Sequence, residues 1–390
     1  MPTAAELPRF GFDFSEDQVD LYEGVREFAR DRLAPGAAAR DRTGKWDEEL
    51  VGEMGAMGLM GIRIPEQYGG ADADYTTYAL LVEALGESDA AMGVIVSATN
   101  LVTNIILKLG SDAQKQKYLP AIADGSLGAL AFCLSEPHAG SDAKAMKSTA
   151  TRTDDGWVLE GGKMWITNGS HAGLFMIFAI TDPSAGSKGI SAFLVDKGTP
   201  GLSIGKEEDK MGQRASGTVA IFMSDLHLPH DALIGEEGLG YRSALTALTA
   251  GRVGISGLSI GISEAALSEG ITYATERMAF GTRIADFQNT QFVLADCRTR
   301  LDAAWLLTLR AAKAVDRGEQ GRMETSMAKV FATETADDIV DKMLQIHGGY
   351  GYSREYTIER LYRDNRVTRI YEGSSEVQRL VIARQMLAGL

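Results

Sequence analysis

The chain has 390 residues, of which 45% are hydrophobic and 24% are charged, a composition that is ordinary for a folded globular protein and excludes intrinsic disorder. Thirty-nine basic residues against 53 acidic ones give a formal net charge of −14. This acidic balance argues against a nucleic-acid groove or an anionic membrane surface as the main partner, so neither nucleic-acid binding nor membrane insertion is expected.

The first third of the chain, residues 1–125, is predicted to form a helical domain. Ser15-Glu16-Asp17-Gln18 has the form of a capping box, which marks the start of a helix. Apolar residues then recur at three- and four-residue spacing as far as Leu33, and Pro35-Gly36 is expected to end that helix. Similar patterns predict further helices over residues 47–60, 74–87, 90–109 and 112–123.

The middle section, residues 126–238, is predicted to be a β domain. Short β-branched and aromatic runs, such as 174–180, 190–195 and 219–223, are separated there by turn residues. Asp154-Asp155-Gly156 has the composition of a hairpin turn. We expect an antiparallel sheet or small barrel.

The last section, residues 239–390, returns to helical periodicity. Helices are predicted over residues 241–276, 288–317, 324–348 and 375–388. Helices of this length, antiparallel to one another, are typical of a bundle. The expected order of the whole chain is therefore helical, then β, then helical.

Redox state and location follow from a few further features. Cys133 and Cys297 are too few for a disulfide framework or a zinc cluster, and we expect buried reduced thiols. No run of about 18 apolar residues occurs, so no transmembrane helix is predicted. Met1–Glu6 resembles neither a signal peptide nor a transit peptide, which predicts a cytoplasmic protein.

Several familiar motifs are missing. No Gly-x-Gly-x-x-Gly follows a strand and opens a helix, and Gly161-Gly162-Lys163 lacks the other residues of a phosphate-binding loop. Neither Gly-x-Ser-x-Gly nor His-Glu-x-x-His occurs. The five histidines are scattered, so no metal site is expected.

What remains is a set of unusual polar stretches. In residues 132–142 an apolar strand runs into a turn of small residues, which could offer amides and a hydroxyl to an anion or a polar ring edge. In residues 163–169, Trp165 and Thr167 are two apart on a predicted strand and so face the same side. Taken singly, each stretch is also explained by a strand-ending loop or a core tryptophan.

The C-terminal section holds further stretches of this kind, at residues 277–281, 287–291, 345–352 and 370–379. The glycine pair Gly348-Gly349 could let the backbone approach a ligand, or could simply cap a helix. In the last stretch Glu372 precedes a glycine and a Ser-capped helix, whose N-terminus supplies free amides and positive potential.

Together and in this order, the stretches resemble the acyl-CoA dehydrogenase family, from about Phe14 to Leu387. The resemblance implies a mostly α fold with an N-terminal helical domain, a central antiparallel β-barrel and a C-terminal four-helix bundle. It also implies an FAD enzyme that desaturates an acyl-CoA thioester between its α and β carbons to the trans-2-enoyl-CoA.

The resemblance assigns the catalytic roles as well. Glu372 matches the base that removes the α-proton, while the β-hydrogen leaves as hydride to flavin N5. Some members carry the base immediately before the arginine that matches Arg252, but Gly251 stands there and cannot act. Ser141, Arg252 and Gly373 are expected on the substrate side.

The remaining matched positions are expected to bind FAD. Trp165, Ile166 and Thr167 match the residues beside the isoalloxazine, and Arg277 has the fixed bidentate geometry that suits pyrophosphate. Glu376 occurs where some members have glutamine. The full expected cofactor set is Phe132, Leu134, Ser135, Gly140, Ser141, Trp165, Ile166, Thr167, Arg277, Gln288, Gln345, Gly348, Gly349, Ser374 and Glu376.

The expected partners are an acyl-CoA substrate, electron-transfer flavoprotein as electron acceptor, and further copies of the chain in a homotetramer built as a dimer of dimers. Acyl-CoA oxidases usually carry an additional C-terminal domain, whereas this chain ends at the helix after Glu372. Oxidase or reductase chemistry on the same fold, and an inactive flavin-binding scaffold, remain alternatives. Monooxygenase-type relatives generally lack the glutamate, and nitroalkane oxidation uses aspartate there.

The acyl group of the substrate is expected to be short to medium in length, and either straight or branched. Residues 89–97 offer no cation for a distal carboxylate, which disfavours glutaryl-CoA. Ala90, Ala91 and Gly93 permit a deep pocket, whereas Met92 and Ile95 could fill it.

Overall fold

The computed structural model describes residues 13–388, and the prediction drawn from Met1–Glu6 lies outside them. Along these residues the elements run from helices to a curled β-sheet and back to helices, in the predicted order. One large apolar core joins the first and last helical sections, and a smaller one lies within the sheet.

The first section of the described residues contains six α-helices. They are α1 Glu16–Phe28, α2 Ala34–Thr43, α3 Glu48–Ala56, α4 Tyr75–Ser88, α5 Ala90–Leu109 and α6 Asp112–Ala123. The predicted capping box is present, since the Ser15 and Gln18 side chains each bond the other's backbone amide.

The expectation that Pro35-Gly36 ends the first helix is wrong. A π-helical turn, Ala29–Leu33, leads directly from α1 into α2. Pro35 lies in the first turn of α2, directly after the π-helical turn, so the irregular backbone falls where the proline lacks its amide hydrogen. The helical run ends instead at Gly44, whose φ of +66° is left-handed.

The central section folds into a curled seven-stranded sheet in the order β1-β4-β2-β3-β7-β6, with β5 beside β4. The strands are β1 Leu130–Cys133, β2 Thr149–Arg152, β3 Gly156–Ile166, β4 Leu174–Ile180, β5 Ile190–Asp196, β6 Leu202–Glu207 and β7 Val219–Pro229. Irregular register along β3 and β7 bends the sheet. Trp157, Phe175 and Phe193 fill its inner face.

The pairings confirm the predicted hairpin and correct the expected strand direction. Arg152 pairs with Trp157 across Asp154-Asp155-Gly156, in an antiparallel ladder. However, β1 runs parallel to β4, with Leu130 opposite Leu174, so the sheet is mixed. Parallel neighbours need a long crossover, and the intervening β2–β3 hairpin supplies it.

The last section of the described residues holds five α-helices and a small β8–β9 hairpin. They are α7 Gly240–Glu276, β8 Met278–Ala279, β9 Thr282–Arg283, α8 Gln288–Asp316, α9 Arg322–His347, α10 Thr357–Arg366 and α11 Ser375–Leu387. Helix α10 was not predicted. It is only ten residues long and rich in charged residues, so Ile358 and Leu361, its buried apolar side chains, provide few positions from which a helical period can be recognised.

Glycines on α7 allow α4 to pack unusually close to it. A β-carbon at Gly257 would stand 2.5 Å from the carbonyl oxygen of Ala79, and one at Gly254 would overlap the hydroxyl of Tyr78. Helix α7 also packs along α9 and α8. It therefore forms the central wall between the N-terminal helices and the bundle.

Two of these helices, Ala90–Leu109 and Gly240–Glu276, are long and apolar enough to cross a membrane by length and composition. In the most apolar 18-residue stretch of each helix, 89% and 83% of the residues, respectively, are buried inside the protein. A core helix of a soluble protein passes the same test, so this is weak support for a membrane span. Cys133 and Cys297 are buried free thiols, as predicted.

Candidate active site

Glu372 lies in the loop between α10 and α11. Its φ is +51° and that of Gly373 is +94°, so two successive residues have left-handed backbone. That conformation is unfavourable for glutamate and readily adopted by glycine. Ser374 then starts α11 by accepting a hydrogen bond at Oγ from the amide of Val377, at 3.4 Å. The surrounding structure must therefore hold Glu372 in place.

Two fully buried polar side chains hold this loop. Gln378 Nε2 donates to the carbonyl oxygens of Glu372 at 3.1 Å and Gly373 at 2.9 Å. Lys329 on α9 donates from Nζ to the same Gly373 carbonyl at 2.7 Å. The loop is thus tied both to α9 and to the helix that follows it.

The carboxyl group of Glu372 has the properties of a general base. The residue as a whole is half-buried, but its Oε2 is buried and lacks a hydrogen-bond partner among the described residues. Burial raises the pKa of Glu372 to about 7, and the positive charges of Lys329 and Arg252 partly oppose that rise. A carboxyl that titrates near neutrality with a free oxygen is suited to proton abstraction.

Arg252 on α7, which was predicted for the substrate side, is a further charged group near Glu372. It is 5% exposed, and Nη1 donates to Ser326 Oγ on α9 at 3.0 Å. Burial lowers the pKa of Arg252 to about 10, although Glu372 opposes this. Its Nε has no hydrogen-bond partner within residues 13–388. A buried, unsatisfied donor beside a buried, unsatisfied acceptor indicates a place for a polar ligand.

The wall of the site beside Glu372 is formed by α4, α5 and α7. A β-carbon at Gly251 would stand 2.5 Å from Glu372 Oε2 and 3.1 Å from Leu101 Cδ1. About one helical turn along α7, Tyr78 fills the space over Gly254, and its hydroxyl lies 3.1 Å from Ser97 Oγ. Burial and the nearby charge of Glu372 both raise the pKa of Tyr78.

The predicted pocket residues on α5 serve mainly as core. Met92 and Ile95 are fully buried. A β-carbon at Gly93 would meet Leu258 Cδ1 at 2.6 Å, so this glycine makes room for α7. Small residues there permit helix packing, and their size alone does not report pocket depth.

The predicted flavin-side loop begins at the end of β1. Phe132 is half-buried and meets Phe178 edge-on, with ring centroids 4.9 Å apart. Leu134 is buried, and the Ser135 carbonyl accepts a hydrogen bond from the Met164 amide at 2.9 Å. The loop then emerges at the exposed Gly140 and Ser141. These five predicted residues therefore lie on one short segment beside the end of β3.

A buried ion pair between Glu136 and Lys163 supports this segment. Glu136 accepts hydrogen bonds from Lys163 Nζ at 2.7 Å and from the amides of Lys147 and Ser148 at 2.6 and 3.0 Å. Lys163 is 1% exposed and Glu136 3%. The pair fixes the small-residue turn relative to β3.

Trp165, Ile166 and Thr167 follow at the end of β3. Trp165 is 59% exposed and has a φ of +63°, while the Ile166 side chain packs inside the sheet. Thr167 lies beyond the last residue of the strand. The prediction that Trp165 and Thr167 share a regular strand is therefore corrected, because the irregular register between Lys163 and Ile166 turns the chain at this point.

The other predicted cofactor residues lie at the far end of the bundle. A cleft of about 580 Å³ is lined there by Arg277, Gly348 and Gly349, together with Tyr273 and Tyr350. The Arg277 guanidinium lies 5.4 Å from the Tyr350 ring centroid. Gln288 and Gln345 are exposed near this end but do not line the cleft.

These surfaces fit a large cofactor with a planar ring and phosphates. Gly140, Gly348 and Gly349 face open space, since a β-carbon at any of them would meet no described atom within 4 Å. Ser374 and Glu376, the last two predicted residues, begin α11 beside Glu372, and Glu376 is exposed. Among residues 13–388 no group of three or more His, Cys, Asp or Glu side chains could hold a metal ion.

Sequence reasoning missed Lys329, Gln378 and Tyr78. A signal for Lys329 did exist, because it shares a helical stripe with Thr325, Ala332, Ala336 and Met343, all of which are buried. A lysine on such a stripe is expected to have a specific partner. Gln378 and Tyr78 carried no comparable signal.

Comparisons with known proteins point to one family. The acyl-CoA dehydrogenase N-terminal, middle and C-terminal domain families match residues 15–126, 131–226 and 238–387. The mitochondrial short-chain specific acyl-CoA dehydrogenase of Bos taurus is 45% identical over 377 residues, which cover 96% of this chain and 91% of that protein.

Two solved structures are also similar over nearly the whole length. A chain from the structure of the electron transferring flavoprotein of Acidaminococcus fermentans has a TM-score of 0.95 and 41% identity, covering 96% of this chain and 99% of that one. Butyryl-CoA dehydrogenase from Megasphaera elsdenii has a TM-score of 0.94 and 38% identity, with coverage of 96% and 99%. The predicted fold class is confirmed, and this chain belongs to the acyl-CoA dehydrogenase family of FAD-dependent oxidoreductases.

Proposed function

We propose that this protein desaturates a short- to medium-chain acyl-CoA, straight or branched, to its trans-2-enoyl-CoA, with Glu372 as the base. The observation that carries the proposal is the Glu372 carboxyl, whose buried Oε2 is unpaired and whose pKa is raised to about 7. Among the described residues, this group combines a free basic oxygen with titration near neutral pH, which proton abstraction beside a thioester requires.

The proposed reaction separates two hydrogens. Oε2 of Glu372 takes the α-proton, and bound FAD supplies the acceptor for the hydride that leaves the β-carbon. The residues expected to hold FAD are those of the β1 loop, the end of β3 and the cleft beside Arg277. Arg252 and Lys329 keep part of the Glu372 population ionised, because their positive charges favour the carboxylate.

The preference for shorter chains is supported by Tyr78. Its ring and hydroxyl occupy the space over Gly254. This glycine lies about one helical turn along α7 from Gly251, which faces Glu372. An acyl chain that passes the base along this helix would meet a buried tyrosine held by Ser97. The similarity to short-chain specific and butyryl-CoA dehydrogenases points to the same class.

Electron-transfer flavoprotein is the proposed acceptor for the reduced enzyme. The likeness to a chain from a solved electron transferring flavoprotein structure supports this partner. We also propose a cytoplasmic location and a homotetramer. Phe280 and Tyr352, which are 99% and 89% exposed near the Arg277 cleft, are large rings that a second copy would cover.

The test is an anaerobic titration of the FAD-loaded protein with butyryl-, isobutyryl-, octanoyl- and palmitoyl-CoA. Bleaching of the visible flavin band by a short or medium substrate, lost in Glu372→Gln, is the expected result. A flavin-loaded protein that none of these thioesters bleaches would overturn the proposal. Bleached enzyme that is reoxidised faster by oxygen than by electron-transfer flavoprotein would indicate an oxidase. If crotonyl-CoA reoxidises the reduced enzyme much faster than butyryl-CoA bleaches the oxidised one, the reductase alternative is favoured.

A further inference from the structure

Lys329 is a buried amine, and the proposed reaction does not explain why it bonds the backbone beside Glu372. It lies on α9, is fully buried, and its ammonium group donates to the carbonyl oxygen of Gly373 at 2.7 Å. Burying an ammonium group is unfavourable unless it has a strong partner. Burial accordingly lowers the pKa of Lys329 to about 7, and the negative charge of Glu372, the residue before Gly373, opposes that fall.

The placement of the ammonium group has a specific chemical effect. A lysine that bonded the carboxylate directly would occupy the oxygen that must accept a proton. By donating to the backbone of the next residue, Lys329 brings its positive charge close to Glu372, whose Oε2 keeps no hydrogen-bond partner among the described side chains and amides. The charge favours the ionised base without blocking it.

The same hydrogen bond fixes the loop geometry. Glu372 and Gly373 both have left-handed backbone, and the Gly373 carbonyl receives two donors, Lys329 Nζ and Gln378 Nε2. A β-carbon at Gly373 would stand 2.5 Å from Gln378 Nε2, so the donors are packed tightly around the turn. Lys329 and Gln378 approach from different helices and hold the turn between them.

We propose that Lys329 is a positioning residue for the base, which holds the Glu372–Gly373 turn and keeps the Glu372 carboxylate ionised through its nearby charge. The inference rests on the proposed function, because it assigns Glu372 as the base. The other charged or titratable groups around the pair are Arg252, Tyr78, Tyr371, Glu334 and Glu376. Arg252 is the second cation, and its charge remains when Lys329 is replaced.

The test measures the protonation of Glu372 directly in the resting, FAD-loaded protein. Infrared difference spectra between pH values identify the carboxyl C=O band that is absent in Glu372→Gln. In Lys329→Met we expect its titration midpoint to move up by about one pH unit, because an opposite charge has been removed. Lys329→Gln, which keeps a donor for Gly373 without the charge, is expected to show a similar upward shift.

The two variants separate charge from positioning. Lys329→Gln is expected to recover more of the wild-type flavin reduction rate at high pH than Lys329→Met does, because its amide can still bond the Gly373 carbonyl. Lys342→Met is the matched control, since Lys342 lies on the same helix, pairs with Asp338 and is half-buried. It is expected to leave the midpoint unchanged.

An unchanged carboxyl midpoint in both Lys329 variants would overturn the inference, even if their melting temperatures fall. If Lys329→Met does not fold, the midpoint in Lys329→Gln alone decides. A wild-type protein that no acyl-CoA bleaches, but whose Glu372 band still shifts in the Lys329 variants, would contradict the proposed function and leave this inference standing.

Discussion

Gly251 on α7 lies directly against the carboxylate of Glu372, so that a β-carbon at position 251 would stand 2.5 Å from Oε2. The family resemblance offers two positions for the base, one beside Arg252 and one at Glu372, and the structure places both at the same point. A side chain at position 251 would therefore displace the Glu372 carboxylate from the position that it has in this structure.

Gly251→Ala is expected to displace the Glu372 carboxylate and slow flavin reduction by an order of magnitude or more. A displacement of about 1 Å at a catalytic group can lower the rate on the order of 100-fold. Stopped-flow reduction by the best acyl-CoA substrate measures the effect. Gly52→Ala is the control, because a β-carbon at Gly52 on α3 meets no described atom within 4 Å. Equal rates in the two variants would contradict the close contact.

Flavin reduction should depend on pH with a midpoint near 7. Burial raises the pKa of Glu372 to about 7, and only the ionised carboxylate accepts the α-proton. The rate constant is therefore expected to fall about tenfold between pH 8 and pH 6, as the base becomes protonated. Single-turnover reduction at saturating substrate, measured across this range, tests it. A rate that is constant from pH 5 to pH 8 would exclude a base with this pKa.

The raised pKa of Glu372 should also make the stability of the folded protein depend on pH. A carboxyl whose pKa is higher in the folded state than in the unfolded state favours folding at low pH, and this contribution is lost as pH rises through about 7. Glu372→Gln removes the dependence. We expect its melting temperature to exceed that of the wild type by ~2 °C or more at pH 8, with a smaller difference at pH 5. The same difference at both pH values would contradict a raised pKa.

Tyr78→Ala should lengthen the preferred acyl chain. Removing the ring opens the space over Gly254, next to the base, and the variant is expected to gain activity on octanoyl-CoA relative to butyryl-CoA by about tenfold or more. The ratio of kcat/KM values for the two substrates is the measurement. Tyr75→Ala is the matched control, because this buried tyrosine on α4 packs against Arg63. If both variants keep the wild-type ratio, Tyr78 does not limit chain length.

Arg277→Met is expected to weaken FAD binding on the order of tenfold, because a charged donor at the cleft beside Gly348 and Gly349 is lost. Equilibrium dialysis of the apoprotein against FAD measures the affinity, with Arg317→Met as a control at an exposed arginine paired with Glu319. If Arg277→Met binds FAD with the wild-type affinity, Arg277 does not contribute to the cofactor site.

Much of the fold could be predicted from local patterns. The capping box at Ser15, the hairpin at Asp154-Asp155-Gly156 and the long helices of the bundle all arise from short-range rules of spacing and turn chemistry. The errors arose where non-local structure intervened. Pro35 is tolerated because a π-helical turn precedes it, and β1 runs parallel to β4 because a hairpin separates them in the chain.

For the candidate site, the sequence by itself determined which residues we propose for the chemistry. Glu372, Arg252 and Trp165 stand out because their motifs are contiguous and resemble one family. Only the tertiary structure decided what surrounds the base: Gly251 against its oxygen, Lys329 and Gln378 on the neighbouring carbonyl, and Tyr78 beyond it. These partners come from four different helices. The physical reason is that pKa and pocket depth depend on burial and on charges brought together by packing, which no local spacing encodes.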